Sequence, residues 1–132
     1  MGKTSPSIDQ WLQEAKRDPR ARDCGMFLVH NGTVRQTAKA RVRLGDESAA
    51  PVTGMVFSYD AAKVDTAVQN AYAMDGIHYI RFWLNEVQLE LGDDIMFVLV
   101  GGDIRPHVID ALQALVGEIK SHCVIEQEQY RA

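Results

Sequence analysis

The sequence predicts an α+β fold in which a mostly antiparallel sheet is covered by helices on one side. From residue 52 onward, strand-like and helix-like hydrophobic periodicities follow in the order β-α-β-β-α-β. The length of 132 residues suits a single domain spanning residues 1–132. An apolar share of 46% beside a charged share of 24% is ordinary for a globular chain, so neither disorder nor a coiled coil is expected.

The N-terminal third predicts one helix, one strand and one basic loop. Ser7-Ile8-Asp9-Gln10 has the form of a capping box, and the helix that it begins should end before Pro19. Residues 25–34 form an apolar run typical of a strand. Residues 35–51 hold four basic side chains and little core material. They predict a mobile basic loop at about 36–50, with a ribbon at 41–44 where charged and aliphatic residues alternate.

The remaining elements follow from alternation and from capping residues. Residues 52–59 alternate as a half-buried strand, and Asp60 caps a helix that Gly76 ends. Residues 77–84 and 87–91 predict two further strands, and a tight turn leads into a central strand that begins at residue 94. Pro106 is expected at the first position of the last helix, which an extended tail, 124–132, follows.

Composition excludes several classes of function. A formal net charge of -4 disfavours nucleic-acid binding, and no apolar run approaches the roughly 20 residues of a membrane span. The N-terminal residues lack the apolar core of a signal peptide, and two distant cysteines predict reduced thiols, so a cytoplasmic location is expected. The histidines and cysteines lack metal-ligand spacing, and no glycine-rich nucleotide motif occurs, so neither a metal nor a cofactor is expected.

Three basic residues are candidates for an anion site. Arg35 follows a strand and a glycine, and Arg105 follows two glycines where the last helix begins, at the positive end of its dipole. Lys120 comes fifteen residues after Arg105, about 20 Å along a helix axis. Arg105 and Lys120 therefore serve one extended site, or two subunits each supply a part. The alternative for each residue is a solvated surface charge.

The order and spacing of these residues resemble the large, catalytic subunit of molybdopterin synthase, the MoaE family, from about Ile8 to Gln129. Gly32-Thr33-Val34-Arg35 is similar to the family's F-x-G-x-V-R segment, and the run from Leu89 to Asp94 is similar to its L-x-x-G-D segment. Arg105 falls at the arginine of the family's His-Arg pair, and Lys120 falls at the first of its two active-site lysines.

The resemblance implies a fold, partners and residue roles. The fold would be an α/β-hammerhead, and the large subunits would form a homodimer. Each would bind a small ubiquitin-like sulfur-carrier subunit (MoaD-like), whose C-terminal thiocarboxylate gives its sulfur to a pterin phosphate, cyclic pyranopterin monophosphate. Lys120 would be catalytic, and the basic loop would cover the pocket. The substrate-binding residues would be Val34, Arg35 and Arg105, with Lys39 and Gln127 as weaker candidates.

Two departures from the family pattern leave the activity open. Ile104 replaces the histidine of the His-Arg pair, and Gln127 stands at the second lysine, which removes a cation. Three hypotheses follow: a divergent sulfurtransferase, a non-catalytic relative that binds a pterin or a ubiquitin-like partner, and a ferredoxin-like regulatory module that binds an anion.

Overall fold

The computed structural model describes residues 2–47 and 49–131. Met1, Ser48 in the predicted loop and Ala132 at the end of the predicted tail lie outside the described residues. The elements in chain order are α1 (Ile8–Arg17), a 3-10 helix (Pro19–Asp23), β1 (Met26–Thr33), α2 (Lys39–Leu44), β2 (Val52–Tyr59), α3 (Ala61–Tyr72), β3 (Ile77–Leu84), β4 (Val87–Glu90), β5 (Asp94–Gly102), α4 (Arg105–Glu118), a π-helix (Ile119–Cys123) and β6 (Val124–Tyr130).

The strands form two three-stranded sheets with every pair antiparallel. One sheet has the order β1-β5-β3, and the other has the order β4-β2-β6. In the second sheet, Phe57 of β2 lies opposite Val87 on one side and Glu126 on the other. The C-terminal strand is therefore an edge strand beside β2, and it carries the residues that follow the last helix.

The β1-β5-β3 sheet is covered on both faces. Successive residues of β5 point to opposite faces, so Val98 and Val100 enter the main core while Phe97 and Leu99 enter a smaller one. The main core includes the buried faces of α3 and α4, and the smaller core includes Trp11 of α1. Two of the longer helices thus share one side of this sheet, and α1 lies on the other.

The antiparallel α+β fold and the positions of most predicted elements are confirmed. Ser7 caps α1, where its Oγ accepts a hydrogen bond from the backbone N of Gln10 at 3.3 Å, and α1 ends before Pro19. Asp60 caps α3, and Gly76 follows that helix in a left-handed conformation with φ of 75°. The last helix begins one residue earlier than expected, at Arg105, with Pro106 in its first turn.

The structure corrects two predictions. The ribbon expected at 41–44 is wrong, because those residues belong to the short helix α2. Charged and aliphatic residues alternate there, but the aliphatic side chains of Val42 and Leu44 are exposed and no strand pairs with them among the described residues. The division of the strands into two sheets also differs from the single sheet of a ferredoxin-like module.

Candidate functional site

Lys120 lies in the π-helical turn that connects α4 to β6. Its neighbours Ile119 and Cys123 are buried in the main core, which fixes the turn against the sheet and leaves Lys120 half-buried. Burial lowers the pKa of Lys120, and Glu126 opposes that shift. Arg43, Lys39 and Arg35 lower this pKa further, so four charged groups from other parts of the chain act on the ammonium. We call Arg35, Lys39, Arg43 and Lys120 the basic cluster.

Arg35 reaches the basic cluster because the chain is anchored just before it. Val34 is buried, its backbone N donates to the carbonyl of Asp93 at 3.0 Å, and its carbonyl accepts from the backbone N of Gly92 at 2.9 Å. Arg35 is exposed, and its Nε donates to the carbonyl of Thr37 at 2.8 Å. Val34 therefore positions its neighbour, with its side chain in the core and its backbone polar groups in use.

The short helix α2 brings Lys39 and Arg43 to the cluster. These two residues are four apart, so they lie on the same face of the helix. Lys39 forms an ion pair with Glu126 through Nζ, and its backbone N lies 3.2 Å from a carboxylate oxygen of Glu128. Both acidic partners belong to β6. Lys39 thus makes two polar contacts between α2 and β6.

Glu126 is a residue of β6 whose buried side chain faces the basic cluster, and sequence reasoning missed it. Its side chain is only 5% exposed, and Oε1 is buried with no hydrogen-bond partner among the described residues. Alternation along β6 points the side chain of Gln127 to the opposite face, where it is exposed. Position 127 became a candidate because of its spacing along the chain from Lys120, and that spacing does not report the direction of a side chain. Only the structure shows which face of β6 meets the basic cluster, so the sequence carried no signal for position 126.

His30 was also missed as a member of this region. It lies on β1 opposite Val98, which points into the main core, so His30 faces the same side as α4. Burial lowers the pKa of His30 most, and the charge of Lys120 lowers it further. Its Nε2 is buried without a partner among the described residues. The imidazole is therefore held neutral close to Lys120.

Arg105 is not brought to the cluster within one chain. It is the first residue of α4 and is exposed, and Lys120 follows that helix about 20 Å further along its axis. Arg105 is not among the charged groups with the largest effects on the pKa of Lys120. The helix start also holds an anion of its own, because the Asp103 carboxylate accepts from the backbone N of Ile104 at 2.6 Å and lies 2.8 Å from Nδ1 of His107.

A cavity of about 390 Å³ lies elsewhere in the molecule, lined by residues that include Lys3, Asn85, Glu90, Asp93 and Asp94. Three of these five side chains are acidic. The N-terminal segment fills part of the space, since the backbone N of Lys3 donates to Oδ1 of Asn85 at 2.7 Å. The acidic side chains of this lining outnumber its single cation, Lys3, so the cavity suits an anionic substrate less well than the basic cluster, which is the candidate site.

Within residues 2–47 and 49–131, no three histidine, cysteine, aspartate or glutamate side chains come together in a way that could hold a metal ion. None of the helices in the same ranges is both long enough and apolar enough to cross a membrane. Cys24 is half-buried and Cys123 is buried, and both thiols are free.

The chain is similar in fold to several solved structures. Molybdopterin synthase from Staphylococcus aureus matches with a TM-score of 0.72 at 14% identity, over 96% of this chain and 86% of that one. The MoaE protein from Burkholderia ambifaria matches with a TM-score of 0.68 at 14% identity, over 97% and 84%. One chain of the complex of subunits 1 and 2 of molybdopterin-converting factor from Helicobacter pylori matches with a TM-score of 0.64 at 14% identity, over 96% and 84%.

The sequence itself supplies the assignment to a family. A comparison with curated protein sequences finds no match. The family model described as MoaE protein matches residues 3–122, which is most of the chain. The chain therefore belongs to the MoaE protein family.

Proposed function

We propose that this protein is the large subunit of a molybdopterin synthase. It would transfer sulfur from the C-terminal thiocarboxylate of a small ubiquitin-like subunit to cyclic pyranopterin monophosphate. Family membership and the likeness to molybdopterin synthase structures support a role in molybdenum cofactor biosynthesis. The matching chain of the Helicobacter pylori complex, which contains two subunits, supports a small-subunit partner. The free thiols agree with the cytoplasmic location that we expect.

The observation that carries this proposal is the basic cluster around Lys120. Arg35, Lys39 and Arg43 approach a half-buried lysine in a chain whose net charge is -4, so the local charge opposes the overall charge. Guanidinium and ammonium groups bind phosphate through charge-assisted hydrogen bonds. Arg35 and Arg43 are the residues that we assign to the substrate phosphate, and α2 covers the site.

Lys120 is assigned to the transfer step. Once the sulfur joins the small subunit to the pterin as a thioester, water attacks the acyl carbon, the carbon–sulfur bond breaks, the sulfur stays on the pterin and a carboxylate is left on the small subunit. Negative charge develops on the acyl oxygen in this step, and a nearby ammonium stabilises that charge more strongly at a partly buried position than in water. Substitution of a group with this role typically lowers the rate by about 10²–10³-fold. Lys39 is paired with Glu126, so we assign it to holding α2.

Arg105 joins the site only from a second chain. Since it lies at the far end of α4 from Lys120, we propose that the homodimer brings Arg105 of one protomer to the Lys120 region of its partner. Each dimer would then contain two composite sites.

The second candidate function is anion binding without sulfur transfer. The observation in its favour is the loss of one of the two active-site lysines of the family pattern. Gln127, at the position of the family's second lysine, adds no cation to the cluster.

A reconstituted sulfur-transfer assay separates the two candidates. The wild-type chain, a thiocarboxylated small subunit and cyclic pyranopterin monophosphate should yield the dithiolene product. Lys120→Ala should lower product formation by about 10²–10³-fold while far-UV circular dichroism and binding of the small subunit stay unchanged. Lys63→Ala, which removes an exposed lysine on α3, is the matched control and should retain full turnover.

Two results would contradict the assignment. Unchanged turnover in Lys120→Ala would remove Lys120 from the transfer step. Normal assembly of the wild-type complex with no product would leave the binding function alone.

A further inference from the structure

The unpaired oxygen of Glu126 is the feature of the site that sulfur transfer and phosphate binding leave unexplained. Oε2 contacts Lys39, but Oε1 is buried and has no hydrogen-bond partner among the described residues. A buried carboxylate oxygen without a partner is costly, and such atoms in folded proteins normally meet a ligand or a water molecule. The free oxygen of Glu126 therefore needs a hydrogen-bond donor from a ligand. The basic cluster consists of lysine and arginine side chains, which only donate, so it cannot recognise a donor on a substrate.

We propose that Glu126 is a specificity-determining residue of this site, and that its free carboxylate oxygen accepts hydrogen bonds from the amino and N–H groups of a pterin ring. The basic cluster would hold the anionic group of the same ligand. The inference rests on the proposed function, since it assumes that the ligand is a pterin with a negative charge. Beyond the proposed function, the inference specifies which edge of the pterin ring is recognised and names Glu126 as the residue that recognises it.

The chemistry of the two partners is complementary. An ionised carboxylate only accepts hydrogen bonds. The 2-amino-4-oxo edge of a pterin presents an amino group next to a ring N–H, so it donates two. A lumazine ring carries a carbonyl in place of the amino group, and that oxygen would face the carboxylate oxygen of Glu126. Glu126 therefore discriminates between two rings of nearly the same size.

Access to Glu126 depends on α2, which covers it. The described contacts between α2 and β6 are the Lys39–Glu126 ion pair and the approach of the Lys39 backbone N to Glu128. Val42 and Leu44 of the same helix are 57% and 81% exposed, so they add little apolar burial. Ala38, just before the helix, is buried in the main core and would stay in place, whereas residues 41–44 of the helix are exposed, so the helix opens at low cost in free energy. A ring can thus reach Oε1 when α2 moves away from β6.

The nearby imidazole gives the region a second unused group. Nε2 of His30 is buried without a partner among the described residues, as Oε1 of Glu126 is. Both residues interact electrostatically with Lys120. Two unpaired polar atoms around one lysine indicate a place built for a polar ligand.

The first experiment compares two ligands on the wild-type protein. Binding of 6-carboxypterin and 6-carboxylumazine is measured at pH 7 by fluorescence titration. Both carry the same anionic group, and they differ at the 2-amino position. We expect 6-carboxypterin to bind at least about tenfold more tightly, as the loss of a charge-assisted hydrogen bond predicts. Equal affinities would overturn the inference without any variant.

The second experiment changes the acceptor. In Glu126→Gln the amide can accept from pterin or donate to lumazine, so the preference should fall to about twofold or less. Affinity for inorganic phosphate should stay the same or rise, because a negative charge has left the site. Glu90→Gln makes the same substitution at an exposed position of the same sheet and should keep the wild-type preference.

The outcomes separate this inference from the proposed function. If phosphate and both rings fail to bind the wild-type protein, the anion site itself is wrong and the inference falls with it. If Glu126→Gln gains affinity for phosphate and for both rings while the wild type shows no preference, Glu126 is only a counter-ion. A preference that Glu126→Gln loses and Glu90→Gln keeps supports the inference.

Discussion

At the scale of the residue, the site depends on one lysine kept in a partly buried position. Burial lowers the pKa of Lys120, and three nearby cations lower it further. Glu126 acts in the opposite direction and favours the charged form. The fold therefore holds the ammonium at a position where its charged form is less stable than it is in water. We infer that the charge at Lys120 serves function at the expense of stability.

This cost predicts that Lys120→Met stabilises the fold at neutral pH. The folded-state pKa of Lys120 lies below the ordinary value of 10.5, so the unfolded chain binds more protons between the two values and the stability of the wild type rises with pH there. We expect Lys120→Met to raise Tm by a few degrees at pH 7, and by less as the pH approaches 10.5. Thermal unfolding followed by circular dichroism at several pH values measures this.

The control for that prediction is Lys63→Met, which removes an exposed lysine and should leave Tm close to that of the wild type. A lower Tm for Lys120→Met at pH 7 would contradict the cost that we assign to the charge. It would mean that the pairing of Lys120 with Glu126 outweighs burial and the repulsion from the other cations.

At the scale of the element, the start of α3 holds the π-helix that contains Lys120 in place. Asp60 lies between β2 and α3, and its backbone N donates to the carbonyl of Cys123 at 2.8 Å. Cys123 closes the π-helix that contains Lys120. The start of α3 and the turn that positions the lysine are therefore tied to each other directly.

Loss of the cap should destabilise the protein measurably. Oδ1 of Asp60 accepts from the backbone N of Ala62 at 3.0 Å and of Lys63 at 3.3 Å. Asp60→Ala leaves both donors without this partner and should lower the free energy of unfolding by about 1 kcal/mol. Urea denaturation measures the change. Asp65→Ala, at an exposed position inside α3, should cost clearly less, and equal losses would refute the capping role.

At the scale of the whole molecule, the length of α4 keeps Arg105 and Lys120 apart, although both match active-site positions of the family pattern. Arg105 begins this helix and Lys120 follows its end, so one chain cannot bring both to one phosphate. The proposed homodimer resolves the separation by combining residues of two protomers. This makes activity a property of the assembly.

Mixing two inactive variants tests the shared site. When Lys120→Ala and Arg105→Ala chains are unfolded together and refolded, half of the dimers contain one chain of each kind. In such a dimer one composite site has both residues and the other has neither, so about a quarter of the wild-type activity should return. Activity that stays absent after mixing, with dimers present by size-exclusion chromatography, would place Arg105 outside the site of the partner.

The sequence by itself determined the features that depend on near neighbours along the chain. Alternation predicted the strands β2 and β4, apolar runs predicted β3 and β5, and the capping residues Ser7 and Asp60 predicted the starts of two helices. These predictions succeed because hydrophobic periodicity and caps act over a few residues. The residues that carry the family resemblance also lie in short segments, so they could be read before any contact was known.

Only the tertiary structure decided which charges share a site. It turned Glu126 toward Lys120 and Gln127 away, placed His30 beside the lysine, and kept Arg105 at the distant end of α4. Strand register and helix packing set these distances, and they join residues far apart in the chain, such as Lys39 and Glu126. Spacing along a sequence cannot report which face of an edge strand meets a helix, because packing of the whole core selects that face.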